Sequence, residues 1–202
     1  MKKNYEMDMC SGPILGKLLT FTIPLIFSGI LQLLFNAADV IVVGRFAGSQ
    51  SLAAVGSTTA LINLMINIFI GLSVGVNVIV ARYYGAKREK DVQDTIHTAM
   101  ALSIVSGFFL IIVGQLLSRP MLELMGTPDD VIDKSTIYMR IIFIGMPANM
   151  IYNFGSAILR AVGDTKRPLY FLTAAGVINV VLNLFFVIMF QMDVAGVALA
   201  TA

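Results

Sequence analysis

"FAGSQSLAAVGSTTALINLMINIFIGLSVGVNVIVA", residues 46–81, runs for 36 residues without an Asp, Glu, Lys or Arg. About 20 apolar residues of helix cross a bilayer core of about 30 Å, so this stretch alone exceeds the requirement of a span. Four more uncharged runs flank it: Leu18–Ala38, Thr95–Ser118, Ile141–Leu159 and Pro168–Met192. A further apolar run opens at Val194. The 202-residue chain is 57% hydrophobic and only 13% charged, about half the charge of a soluble domain. Transmembrane β-strands would alternate apolar and polar residues over about ten positions. These runs are continuous, which favours helices, whose backbone groups bond within their own segment. The sequence predicts an all-α polytopic membrane protein with five complete transmembrane helices and the start of a sixth.

Charged turns place the helices at about 17–45, 51–81, 95–117, 135–159, 168–191 and from 194 onward. The leader "MKKNYEMDMCSGPILGK" resembles the start of a signal peptide. The apolar segment after it is too long for one, so it reads as an uncleaved first helix. Cys10 is the one cysteine, which allows no intrachain disulfide. Lys2, Lys3, Lys17, Arg82, Lys87, Arg88, Lys90, Arg160, Lys166 and Arg167 fall on one side of this arrangement. Arg45, Arg119, Lys134 and Arg140 fall on the other. Positive charge stays inside, which puts the N-terminus in the cytoplasm and the chain in the cell membrane as a multi-pass protein. The formal charge of +2 thus reflects topology and contacts with membrane lipid, and no nucleic-acid partner is expected.

The loops "RYYGAKREKDVQ" (82–93) and "RAVGDTKRP" (160–168) each offer a Gly to end a helix, and Pro168 suits the first turn of the next. The segment 118–135 mixes Leu122, Met125 and Val131 with charges and is expected to lie along the interface.

Polar residues inside the spans carry the functional signal. Of nine asparagines, all but Asn4 fall within expected helices, although an unpaired amide in hydrocarbon costs several kcal/mol. Ser28, Gln32, Asn36 and Asp39 recur at helical spacing, as do Asn149, Asn153 and Ser156, Asn63 and Asn67, and Asn179 and Asn183. Such stripes either glue helices together or line a shared polar cavity; four at once favour the cavity. Asp39 is sharper. A carboxylate in a span costs about 2.5–3.5 kcal/mol on insertion scales and by default marks an ion or proton pathway. The competing reading is an interfacial anchor, since Arg45 follows about 9 Å along the helix. Pro24 removes a backbone bond inside the first helix, giving either a fixed kink or a bending point for transport. Gly71 and Gly75, and Gly107 and Gly114, read as packing positions. No catalytic pairing, metal cluster or phosphate-binding loop appears, and no cofactor is implied. A transporter is a better reading than an enzyme.

Four stretches in order, "TIPLIFSGILQLLFNAADVIVVGRFAGSQSLAAVG" (22–56), "ARYYGAKREKDV" (81–92), "ILRAVGDTKRP" (158–168) and "NVVLNLFFVI…VAGVALATA" (179–202), resemble the N-terminal half of a MATE (multidrug and toxic compound extrusion) transporter. The resemblance implies a twelve-helix protein of two lobes that exports small cationic amphipathic compounds in exchange for H⁺ or Na⁺. It makes 1–202 the N-terminal lobe, cut as its sixth helix begins, with the C-terminal lobe as partner. Asp39 would be the cation-coupling acid and Pro24 the helix bend. Asn153, Asn179, Thr201 and Tyr138 would complete the site. The family often carries an aspartate where this chain has Asn183, so the lobe keeps one acid. Na⁺ at Asp39, Asn179 and Asn183 and H⁺ on Asp39 both remain open. The alternatives are a lipid-linked saccharide flippase of the same superfamily, disfavoured by span interiors without Lys or Arg, and a membrane protein without flux.

Overall fold

The computed structural model describes residues 14–202; Lys2, Lys3, Asn4 and Cys10 lie outside the described residues. Seven α-helices follow in order: α1 Ile14–Val42, α2 Ser49–Gly85, α3 Glu89–Leu124, α4 Asp129–Ile144, α5 Met146–Ala161, α6 Lys166–Leu184 and α7 Asp193–Thr201. Wider π-helical turns extend α1 over Val43–Ala47 and α6 over Phe185–Met189. Four of these segments are each long and apolar enough to cross a membrane, and the bent pair α4–α5 makes a fifth.

The surface is inverted relative to a soluble protein. Leu18, Ile23, Ile26, Phe27, Ile30, Leu33 and Leu34 of α1 are all exposed, as lipid-facing side chains should be. Burial therefore separates helix–helix faces from lipid faces. α2, α3, α4 and α5 pack against one another, α1 packs along α6, and α7 lies between α4 and α6 and joins the two groups. The centre of the bundle is filled by Leu110, Leu122, Met139, Phe143, Met150 and Phe154.

Glycine allows the close approaches. A Cβ at Gly107 would sit 2.4 Å from Pro147 Cα, and one at Gly114 would sit 2.1 Å from Phe143 Cγ. Both fit the expected packing role. Gly71 and Gly75 do not: a Cβ at either meets nothing within 4 Å, because the α2 face that carries them is not covered within the described residues.

Several helices differ from expectation. The fourth span is not one helix over 135–159 but two pieces that meet at Gly145 with a bend of 50°. Pro147 explains the break, since it lacks an N–H and its ring crowds the carbonyl of residue 143. The segment 118–135 is not a separate stretch between spans: α3 continues through Pro120 to Leu124, and α4 starts at Asp129. Arg119 holds this turn, pairing with Glu123 at 3.0 Å and Asp133 at 2.9 Å. α3 also starts six residues earlier than expected, at Glu89. Its Glu89 and Asp91 suit the positive end of a helix dipole, and Arg88 bonds Asp91 at 2.7 Å. Charge marks where lipid ends, not where a helix ends. The loop glycine at 163 takes φ +86° after α5, and the buried Asp164 accepts the N–H groups of Lys166 and Arg167, both at 3.1 Å. This caps α6, the helix that carries Asn179 and Asn183.

Candidate intramembrane cation site

The α1–α6 seam positions the site. Phe35 lies against Gly176, where a Cβ would stand only 1.9 Å from the ring, so the two backbones approach closely. One turn beyond Phe35, Asp39 points into the seam. Asn183 of α6, fully buried, donates its amide N–H to the Asp39 carboxylate. The same amide nitrogen lies 3.4 Å from Asn179 Oδ1. Asn179 in turn donates to Thr201 Oγ1 and to the Ala200 carbonyl, both at 3.2 Å. The Thr201 hydroxyl donates to the Val197 carbonyl at 2.9 Å, so it joins the cluster as the acceptor of the Asn179 N–H. Tyr138 is buried on α4, close enough to feel the charge of Asp39. Helices α1, α6 and α7 thus meet in one polar cluster, with α4 beside it.

The oxygen inventory sets what this cluster can bind. It gathers the Asp39 carboxylate, the Asn179 and Asn183 amide oxygens, the Thr201 hydroxyl and the Ala200 carbonyl. Asn183 Oδ1 is buried with no hydrogen-bond partner, and a buried unsatisfied acceptor is costly. Turning the amide over would set that oxygen against the carboxylate, so the orientation with N–H toward Asp39 is the favourable one. Hard cations take carboxylate, carbonyl and hydroxyl oxygens, and a proton on Asp39 gives it an O–H to donate. Either fits this environment.

Three expected members are not brought to the cluster. Gln32 and Asn36 are exposed, and no hydrogen bond among the described residues joins them to it. Asn36 is three residues before Asp39, about 60° away around the helix, and so it flanks the seam. Asn153 bonds within its own helix, to the Asn149 carbonyl at 2.9 Å and to its side-chain oxygen at 2.7 Å. The break at Gly145 sends α5 against α2 and α3, away from Asp39. Pro24 is buried in α1, which runs through it as one continuous helix; its carbonyl accepts the Ser28 hydroxyl at 2.9 Å. Asn63 and Asn67 on α2 are exposed.

A second polar cluster was not anticipated. Ser51 near the start of α2 donates to Asp193 at the start of α7. Lys134 of α4 bonds the other Asp193 oxygen at 2.7 Å and lies 3.4 Å from Ser51 Oγ. Burial pushes the Asp193 carboxyl up, but the bonds from Lys134 and Ser51 and the Lys134 charge outweigh it and hold the group below its ordinary value. In the sequence Lys134 figured only in the count of charges that set topology, and Asp193 in none of the readings.

A helical bundle whose spans are long and apolar enough to cross a membrane, with a carboxylate held among neutral oxygens between them, defines a multi-pass integral membrane protein. The MatE family model matches residues 24–185, and the chain belongs to that family of membrane transporters, which are not enzymes. It is 35% identical to the Probable multidrug resistance protein YoeA of Bacillus subtilis (strain 168), over 80% of this chain and 35% of that protein. It is 30% identical to the Probable multidrug resistance protein YpnP of the same organism, over 96% of this chain and 44% of that one. Among solved structures, a MOP superfamily transporter from Pyrococcus furiosus Vc1 superposes with a TM-score of 0.90 at 26% identity, over 100% of this chain and 44% of the other. The chain therefore spans 35% to 44% of the length of these relatives.

Proposed function

We propose that these residues form the N-terminal lobe of a secondary active exporter that moves cationic amphipathic compounds outward in exchange for H⁺ or Na⁺. The observation that carries this reading is the buried, unpartnered Asn183 Oδ1 beside the Asp39 carboxylate. The seam holds a charge and an orphan acceptor close together; a bound metal cation would take an oxygen ligand from both, whereas a proton on Asp39 would neutralise the charge. The names of the two Bacillus subtilis relatives support a drug-like substrate. The lysine and arginine asymmetry supports a cytoplasmic N-terminus in the cell membrane.

In this mechanism the cation enters the cluster of Asp39, Asn179, Asn183 and Thr201, with Tyr138 closing one side. Occupancy tightens α1 against α6 and α7, and Pro24 is where α1 bends when that seam changes. Substrate sits between this lobe and a second one, facing the exposed amides Gln32, Asn36, Asn63 and Asn67; Asn153 serves α5 and not the cation. The cation must bind one conformation more tightly than the other, since equal binding shifts nothing.

The test is efflux of a fluorescent cationic dye from proteoliposomes of the full-length protein under an imposed H⁺ gradient, then a Na⁺ gradient. Wild type should respond to one gradient. Asp39→Asn should reach the membrane in normal amount and lose the response; an unchanged response would remove Asp39 from the mechanism.

A further inference from the structure

The Ser51–Asp193–Lys134 cluster and the Asp39 site both draw on α4 and α7. α7 carries Asp193 at its first residue and Thr201, eight residues and about 12 Å later, where its hydroxyl oxygen accepts from Asn179 of the Asp39 cluster. α4 carries Lys134 and, one turn on, the buried Tyr138. The Lys134–Asp193 pair thus ties α4 to the helix that brings Thr201 to the coupling site.

The chain entering α7 does not take this register by local preference. Gln191 and Asp193 hold φ of +51° and +52°, the left-handed region that side chains other than glycine rarely adopt. Such geometry persists only where surrounding contacts over-determine it. At Asp193 those contacts are Lys134 from α4 and the fully buried Ser51 from α2. The carboxylate also faces the start of α2, whose free N–H groups favour an anion. Beyond it Val194, Val197 and Ala198 are buried, so α7 is a packed rod and a shift at Asp193 moves Thr201.

We propose that Ser51, Asp193 and Lys134 form a polar latch that sets the register of α7 and thereby positions Thr201 against Asn179 of the Asp39 cluster. Asp193 is on this account a positioning residue for cation coupling, and the inference rests on the reading of the Asp39 cluster as the coupling site.

A double-mutant cycle separates this role from a general structural one. Full-length protein in proteoliposomes is assayed for the cation concentration that gives half-maximal dye efflux. Asp193→Asn keeps the size of the side chain and its tolerance of a left-handed backbone while removing the charge. Asp193→Asn and Thr201→Val should each raise the half-saturating concentration about two- to tenfold, the loss of one neutral hydrogen bond, that of Asn179 to Thr201. The double variant should be no worse than the poorer single, because residues acting as one unit are not additive. Multiplying effects, or an Asp193→Asn protein with wild-type half-saturation, would overturn the latch. If Asp193→Asn does not reach the membrane, Lys134→Gln goes through the same cycle with the same two outcomes. Asp39→Asn run in parallel tells the failures apart. Normal coupling without Asp39 removes the underlying reading, whereas lost coupling with an additive cycle removes only the latch.

Discussion

Adding one methyl group at Gly176 should damage coupling without touching any polar residue. A Cβ there would stand 1.9 Å from Phe35 Cε2, 2.2 Å from Cδ2 and 2.3 Å from Cζ, where ordinary contact begins at 3.4 Å. The shortfall is about 1.5 Å, to be found by swinging the ring or by parting α1 from α6. Overpacking of this kind costs about 1–3 kcal/mol. Because Phe35 lies one turn from Asp39 on the same face, parting the helices draws Asp39 away from Asn183. If that cost falls on the cation-bound state, the half-saturating cation concentration rises about five- to 150-fold, at about 1.4 kcal/mol per factor of ten. Gly176→Ala in the full-length protein, assayed for cation-dependent dye efflux, should show this increase. Phe35→Ala added to it should restore most of the loss by clearing the space. Wild-type half-saturation in Gly176→Ala would refute the idea that the α1–α6 contact sets the site, as would a double variant no better than the single.

Other outcomes follow from the same contacts. Asn183→Leu takes the free amide oxygen from the cluster and should raise the half-saturating Na⁺ concentration roughly tenfold or more, given about 1.5–3 kcal/mol for a bond to a charged group; the same efflux assay under a Na⁺ gradient reads it. Gly107→Ala meets the Pro147 Cα at 2.4 Å, a backbone atom that cannot swing aside, and should lower the thermal unfolding midpoint in detergent more than Gly71→Ala, which meets open space. The Asp193 carboxyl is held below its ordinary value in the folded state. Its contribution to stability is therefore full above the ordinary carboxylate range and is lost as pH falls through the lowered value. Acid unfolding should show this loss in wild type, and Asp193→Asn should flatten that part of the profile.

The sequence displayed the fold because lipid imposes one rule on every span, and uncharged runs of sufficient length are visible without any tertiary knowledge. Asp39 stood out as the one carboxylate within an expected span. Asn179 and Asn183, four residues apart, identified the facing side of α6. The stripe on α1 misled because Asn36, three residues before Asp39, is turned about 60° from it, and Gln32, nearly in line with Asp39, lies two turns away and is exposed. Phe35, between them in sequence, meets Gly176 instead. Asn153 was misplaced because the break at Gly145 redirects α5, and the "GMP" that causes it lay inside an apolar run read as continuous. The π-helical turns of "VGRFA" and "FFVIM" have no local signature, since they arise where α1 and α6 meet their neighbours. The Ser51–Asp193–Lys134 contacts were out of reach for a simpler reason: their members lie 59 to 142 residues apart.

The most direct test of the coupling claim follows both fluxes in the same proteoliposomes of full-length protein. Addition of dye on the cytoplasmic side should drive H⁺ or ²²Na⁺ the opposite way in wild type, and Asp39→Asn should move no cation in response. A mutant that still exchanges cation for dye at the wild-type ratio would show that the Asp39–Asn183 cluster is not the coupling site.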